Sequence, residues 1–135
     1  MALFVWSDKM SVGIGKIDRE HMGLFDIMNK LHEEMLAGRG KDILGQVLTK
    51  LMDYTKVHFG NEEALLRQHG YPGLADHIKL HEGFKHKVAE LDAKLKAGNV
   101  SLAVSALDFL RDWLIKHIQG VDFQYKPFLA SKGVK

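Results

Sequence analysis

The chain has 135 residues, 46% of them apolar and 27% charged, with a net charge of +2 and no cysteine. That length fits one domain able to bury a core, and the scattered Lys and Arg give no basic stripe for nucleic acid. The absence of thiols excludes disulfides, thiolate metal sites and cysteine nucleophiles. With no basic leader and no run of ~20 apolar residues, a cytoplasmic protein without membrane insertion is expected.

Residues 1–17 read as an extended arm. Asp18 is placed to cap a first helix over about 18–37, which ends at Gly38-Arg39-Gly40. A second helix covers about 42–69 and stops at Gly70-Tyr71-Pro72-Gly73. A third covers about 74–97 and ends at Gly98-Asn99, after which Ser101 is placed to cap a fourth over about 101–119. Pro127 marks the remainder as an irregular tail. There is no β alternation and no internal repeat.

On each helix the apolar residues recur in steps of three and four, the seam of a bundle helix. The first seam runs His21, Leu24, Met28, Leu31, Met35, and the second Leu44, Leu48, Leu51, Thr55, His58, Glu62, Leu65, His69. The third runs Leu74, His77, His81, Phe84, Val88, Leu91, Leu95, and the fourth Ala103, Leu107, Leu110, Leu114, His117. Four such helices joined by short turns predict an all-α, up-down-up-down antiparallel four-helix bundle, a single domain over 1–135.

Six polar residues interrupt these apolar seams. Singly each has an ordinary explanation, since a lone histidine on an apolar face is more often a hydrogen-bonded core residue than a ligand. Antiparallel geometry brings them together. In a helical hairpin, residues equidistant from the turn lie at the same height. The midpoint of His21 and His58 falls in the Gly38–Gly40 break, that of Glu62 and His81 in the Gly70–Gly73 break, and that of His81 and His117 on Asn99. His58 with Glu62, and His77 with His81, share a face at i and i+4. Five imidazoles and one carboxylate therefore meet in one layer.

Burying these groups unpaired would cost roughly 1–3 kcal/mol each, and one carboxylate cannot satisfy five imidazoles. Metal coordination can. Six ligands exceed what a tetrahedral zinc site needs, so two metals sharing a carboxylate fit the count better. His32 and His69 lie eleven residues beyond His21 and His58, about 16 Å away along the axis, and His86 falls off its seam. All three read as ordinary histidines.

With these residues in hand, the sequence resembles the hemerythrin family, specifically single-domain bacteriohemerythrins, over nearly its whole length. The resemblance rests on Ile17-Asp18-Arg19-Glu20-His21, His58-Phe59-Gly60-Asn61-Glu62-Glu63, His77-x-x-x-His81 and His117-Ile118-x-x-x-Asp122, with Trp6-Ser7 and Val12-Gly13-Ile14 in the arm. It departs at Glu20, where Gln is more common. The resemblance implies that His77, His81 and His117 bind one iron and saturate it, while His21 and His58 bind a second that keeps an open position. Glu62 and Asp122 would bridge the two irons together with an oxo or hydroxo group. Asp122 enters through the resemblance alone. On a regular α-helix it would be rotated roughly 140° from His117, so a π-type turn or a break near Gly120 is expected.

The implied function is reversible dioxygen binding, as carrier or store, with O2 held end-on as hydroperoxide at the iron with the open position. Leu24, Phe25, Phe59, Trp113, Leu114 and Ile118 flank the ligands and are expected to line the oxygen pocket, excluding water and slowing autoxidation. Two alternatives belong to other classes. An oxidase-like enzyme site is more carboxylate-rich than five histidines to two carboxylates. An oxygen, redox or nitric-oxide sensor is usually fused to a signalling domain, and none is legible here. A non-enzymatic carrier serving an oxygen-consuming enzyme is therefore expected.

Overall fold

The computed structural model describes residues 4–98 and 103–135. A short 3-10 turn, Asp8–Met10, interrupts the arm, and α1 (Gly15–Leu36), α2 (Gly40–Gln68), α3 (Leu74–Lys96) and α4 (Ala103–Lys116) follow. A π-helical turn (His117–Asp122) then leads into α5 (Phe123–Ser131). No strand occurs among the described residues. α1 packs along α2, α2 along α3, and α4 returns against α1 and α2, which makes the four-helix bundle.

The seams explain the packing. Leu31, Leu44, Leu48, Leu51 and Leu110 have no exposed surface, and full burial of each is worth roughly 1.5–3 kcal/mol. The turns are closed by glycines with positive φ. Gly38 (φ +78°) and Gly70 (φ +70°) turn the chain left-handed, and the next residues, Arg39 and Tyr71, donate N–H bonds of 2.7 and 2.9 Å to the carbonyls of Glu34 and Leu66. Those bonds satisfy carbonyls left over at the helix ends.

The core is divided in two. A large apolar cluster holds the middle and far end of the bundle, from Leu24 to Leu31 on α1, Leu44 to Leu51 on α2, Phe84 to Leu91 on α3 and Ala106 to Leu114 on α4. A smaller one gathers Val12, Ile14, Ile17, Leu66, Tyr125 and Leu129. The polar layer lies between them, near one end of the bundle.

Three expectations need correction. α1 starts at Gly15, with Ile14 at its N-cap and no side-chain cap. Burial of Ile14 and Ile17 in the smaller cluster selects that start. Asp18 instead accepts bonds from the Ser11 hydroxyl (2.5 Å) and the Val12 N–H (2.9 Å), so it fastens the arm. α2 starts at Gly40, two residues early. The tail beyond Asp122 is not irregular but helical through Pro127. An internal proline costs about 3 kcal/mol, and the complete burial of Tyr125 and Leu129 offsets it. Tertiary packing outweighs local propensity here. The Ser101 cap lies outside the described residues.

From Phe4 to Ile14 the arm has no regular element but its one turn, and it bends at Gly13 (φ +82°). Phe4 exchanges two bonds with the Asn29 side chain, of 2.7 and 2.9 Å, and its ring stacks on Phe25 at 4.6 Å.

Candidate metal centre

The structure brings all seven candidate ligands into one buried layer. His21, Glu62, His81 and Asp122 have no exposed surface, and His58, His77 and His117 have at most 4%. Their donor atoms form two groups that share one residue: Glu62, His77, His81, His117 and Asp122 in one, and His21, His58 and Glu62 in the other. Glu62 Oε1 lies 2.7 Å from His77 Nε2 and 3.0 Å from His81 Nε2, while Oε2 lies 3.8 Å from both His21 and His58 Nε2. Asp122 spans the halves likewise, with Oδ1 3.1 Å from His77 and 3.0 Å from His117, and Oδ2 3.1 Å from His21.

Asp122 reaches this position through the backbone. The π-helical turn adds about one residue to the turn between His117 and Asp122, which brings the carboxylate back under the histidine. This is the local irregularity expected near Gly120. Such turns are energetically unfavourable unless something rewards them, and here the reward is a carboxylate in the layer.

The donor set fits a pair of cations. Asp122 Oδ1 and Oδ2 and His21 Nδ1 and Nε2 are buried without a hydrogen bond. His81 Nε2 and His117 Nε2 face each other at 3.0 Å, where only one can donate. Buried polar groups are otherwise almost always paired, so these atoms leave room for a ligand-seeking charge. Burial opposes the charge on His21 and His77, yet the adjacent Asp122 and Glu62 carboxylates outweigh it and push both up to about 9. Burial also opposes the charge on Glu62 and Asp122, but the surrounding histidines hold both below the usual carboxylate range.

A second set of residues fixes the first, and sequence periodicity misses it. His58 Nδ1 lies 2.6 Å from Glu20 Oε1, and His81 Nδ1 lies 2.7 Å from Glu63 Oε2. Such pairs orient a histidine so that its other nitrogen faces the metal. Tyr125 donates its O–H to Glu62 Oε2 at 2.8 Å, and burial, with the charges of Glu62 and Asp122, pushes its own pKa well above the usual value. Glu20 and Glu63 stand off the seams, next to ligands, and Tyr125 sits in the segment read as a tail. For the first two the signal was adjacency to His21 and Glu62 inside the motifs that carry the family resemblance.

The six pocket candidates join the large cluster, with Trp113 half-buried at its edge. Phe59 stacks on His81 at 3.8 Å and also lies 5.7 Å from His58, while Trp113 stacks on His117 at 4.3 Å. Phe25 stacks on Phe4. His86 is exposed, His32 and His69 are half-buried, and none joins the metal-capable groups.

A family model described as the hemerythrin HHE cation-binding domain matches residues 12–129. The chain is 36% identical over 125 residues to the bacteriohemerythrin of Stenotrophomonas maltophilia, covering 93% of this chain and 80% of that one. It is 35% identical over 132 residues to the bacteriohemerythrin of Methylococcus capsulatus, covering 97% and 100%. The myohemerythrin of Riftia pachyptila is 32% identical over 123 residues, covering 91% of each. A crystal structure of wild-type hemerythrin superposes with a TM-score of 0.84 at 34% identity, over 93% of this chain and 97% of that one. The chain belongs to the hemerythrin family.

Proposed function

We propose that this protein binds dioxygen reversibly, as a carrier or store, at a non-haem di-iron centre. One observation carries the reading: the buried histidines divide three to two around Glu62 and Asp122, so one metal would be saturated and the other left with an open position. His77, His81 and His117 would hold the first iron, His21 and His58 the second, and the two carboxylates would bridge them with an oxo or hydroxo group. An iron pair held there would supply the two electrons that reversible dioxygen binding needs.

The chain's own residues supply the rest. Glu20 and Glu63 orient His58 and His81. Tyr125 holds Glu62 by its Oε2. Leu24, Phe25, Phe59, Trp113, Leu114 and Ile118 set an apolar wall that excludes water and disfavours escape of a charged reduced oxygen species. A non-enzymatic role is supported by the hemerythrin names of the relatives. Among the described residues no helix is long and apolar enough to cross a membrane. Delivery to an oxygen-consuming enzyme in the cytoplasm is part of the same proposal.

Anaerobic reconstitution with ferrous iron, followed by cycles of oxygen and inert gas under visible spectroscopy, tests it. A charge-transfer band that comes and goes over repeated cycles supports carriage. Irreversible oxidation with release of peroxide would favour a sensor or a peroxide- or nitric-oxide-reacting protein, and a single native zinc would overturn the di-iron reading.

A further inference from the structure

Each half of the centre has one histidine backed by a glutamate, and on the two-histidine half that support converges on Glu20. On the two-histidine half, His21 Nδ1 has no hydrogen-bond partner among the described residues. His58 alone is backed, by Glu20 Oε1 at 2.6 Å. Glu20 is itself held at two points: Oε2 accepts the Asn61 side-chain N–H at 2.9 Å, and its carbonyl accepts the Tyr54 O–H at 2.7 Å. Tyr54 can reach that carbonyl only because residue 23 is glycine, since a Cβ there would overlap its hydroxyl. A glycine inside a helix costs about 1 kcal/mol relative to alanine, and seating Tyr54 against α1 is what the missing side chain permits. Gly23, Tyr54, Glu20, Asn61 and His58 thus form one connected support that ends on a candidate ligand. Glu20 also lines a cavity of about 360 Å³, with Lys50, Asp53, Tyr54, Val57 and His58, so this support reaches the protein surface.

We propose that Glu20 is the positioning residue of the two-histidine half, fixing the His58 ring with Nε2 toward the centre and placing a negative charge behind it. The inference rests on the di-metal reading above. The His58 Nδ1–H donates to Glu20, which leaves the Nε2 lone pair free for a cation. A full negative charge behind a ligand favours the higher oxidation state of the metal it serves. Glu63 does the same for His81 on the other half. A glutamine in place of Glu20 would keep an acceptor oxygen but not the charge, so the two contributions can be separated.

The test compares wild type, Glu20→Gln and Glu20→Ala after anaerobic loading with ferrous iron, by metal analysis and spectroelectrochemical titration. Glu20→Gln should retain two irons and shift the ferric-to-ferrous ratio about tenfold toward ferrous, about 59 mV for a one-electron couple. Glu20→Ala should in addition weaken the two-histidine position by about tenfold to hundredfold. Titrations of wild type and Glu20→Gln that coincide within about twofold would overturn the proposal, whatever the melting temperatures. A measurement without variants is proton–nitrogen NMR of zinc-loaded wild type, where the His58 Nδ1–H should be present and strongly downfield, and its absence overturns the proposal. Wild type that takes up fewer than two metals would overturn the di-metal reading first, and this inference with it.

Discussion

Replacing Tyr125 by Phe removes one oxygen atom and leaves the ring, so it creates almost no cavity in the small cluster. What is lost is the O–H bond of 2.8 Å to Glu62 Oε2, between two residues with no exposed surface. A hydrogen bond to a charged group is worth about 1.5–3 kcal/mol, and water cannot replace it at a fully buried oxygen. For 135 residues, at about 2.1 cal/mol/K of unfolding entropy per residue, that corresponds to a Tm lowered by roughly 5–10 °C. Calorimetry of the metal-free protein measures it directly. Metal-loaded protein should lose less, because a cation would then satisfy the same carboxylate. A drop of under about 1 °C in the metal-free protein would refute the reasoning, since Glu62 would then not depend on that hydroxyl.

The metal-free protein should also be pH-sensitive. His21 and His77 are raised to about 9 in the fold, so their stabilisation is complete below the unfolded histidine value of about 6.5 and is lost as pH rises through about 9. Denaturant titrations should show stability falling across that window without metal and staying level with zinc bound. A level profile without metal would count against those raised values. Asp122→Asn should lower the bound metal from two ions to one by elemental analysis, because a neutral amide cannot bridge two cations, and full retention of both would remove Asp122 from the ligand set. Leu110→Ala, at a site with no exposed surface, should cost about 2–5 kcal/mol in denaturant unfolding and leave metal stoichiometry unchanged. A cost below about 1 kcal/mol would mean the large cluster repacks freely.

Most of the candidate site was legible because it obeys a period. His21, His58, Glu62, His77, His81 and His117 stand at core positions of their helices, and the structure buries them all. The supporting residues obey none. Glu20 and Glu63 reach their histidines from positions beside the seams, where periodicity assigns solvent. Tyr125 was hidden by Pro127, whose local preference against helix is overcome by burial in a cluster assembled from both ends of the chain. Asp18 misled in the opposite way. It has the chemistry of a helix cap, but that carboxylate holds the arm.

The five histidines and Glu62 could be placed in one layer from sequence alone, because the 3.6-residue period and glycine-marked turns set height and facing before any contact is known. The division of that layer came from the family resemblance and not from periodicity. Which nitrogen pairs with which carboxylate, and how Asp122 meets His21 and Tyr54 meets the Glu20 carbonyl, depend on distances of 2.6–3.1 Å between elements. Such distances are set by how whole helices pack, and no local pattern of residues carries them.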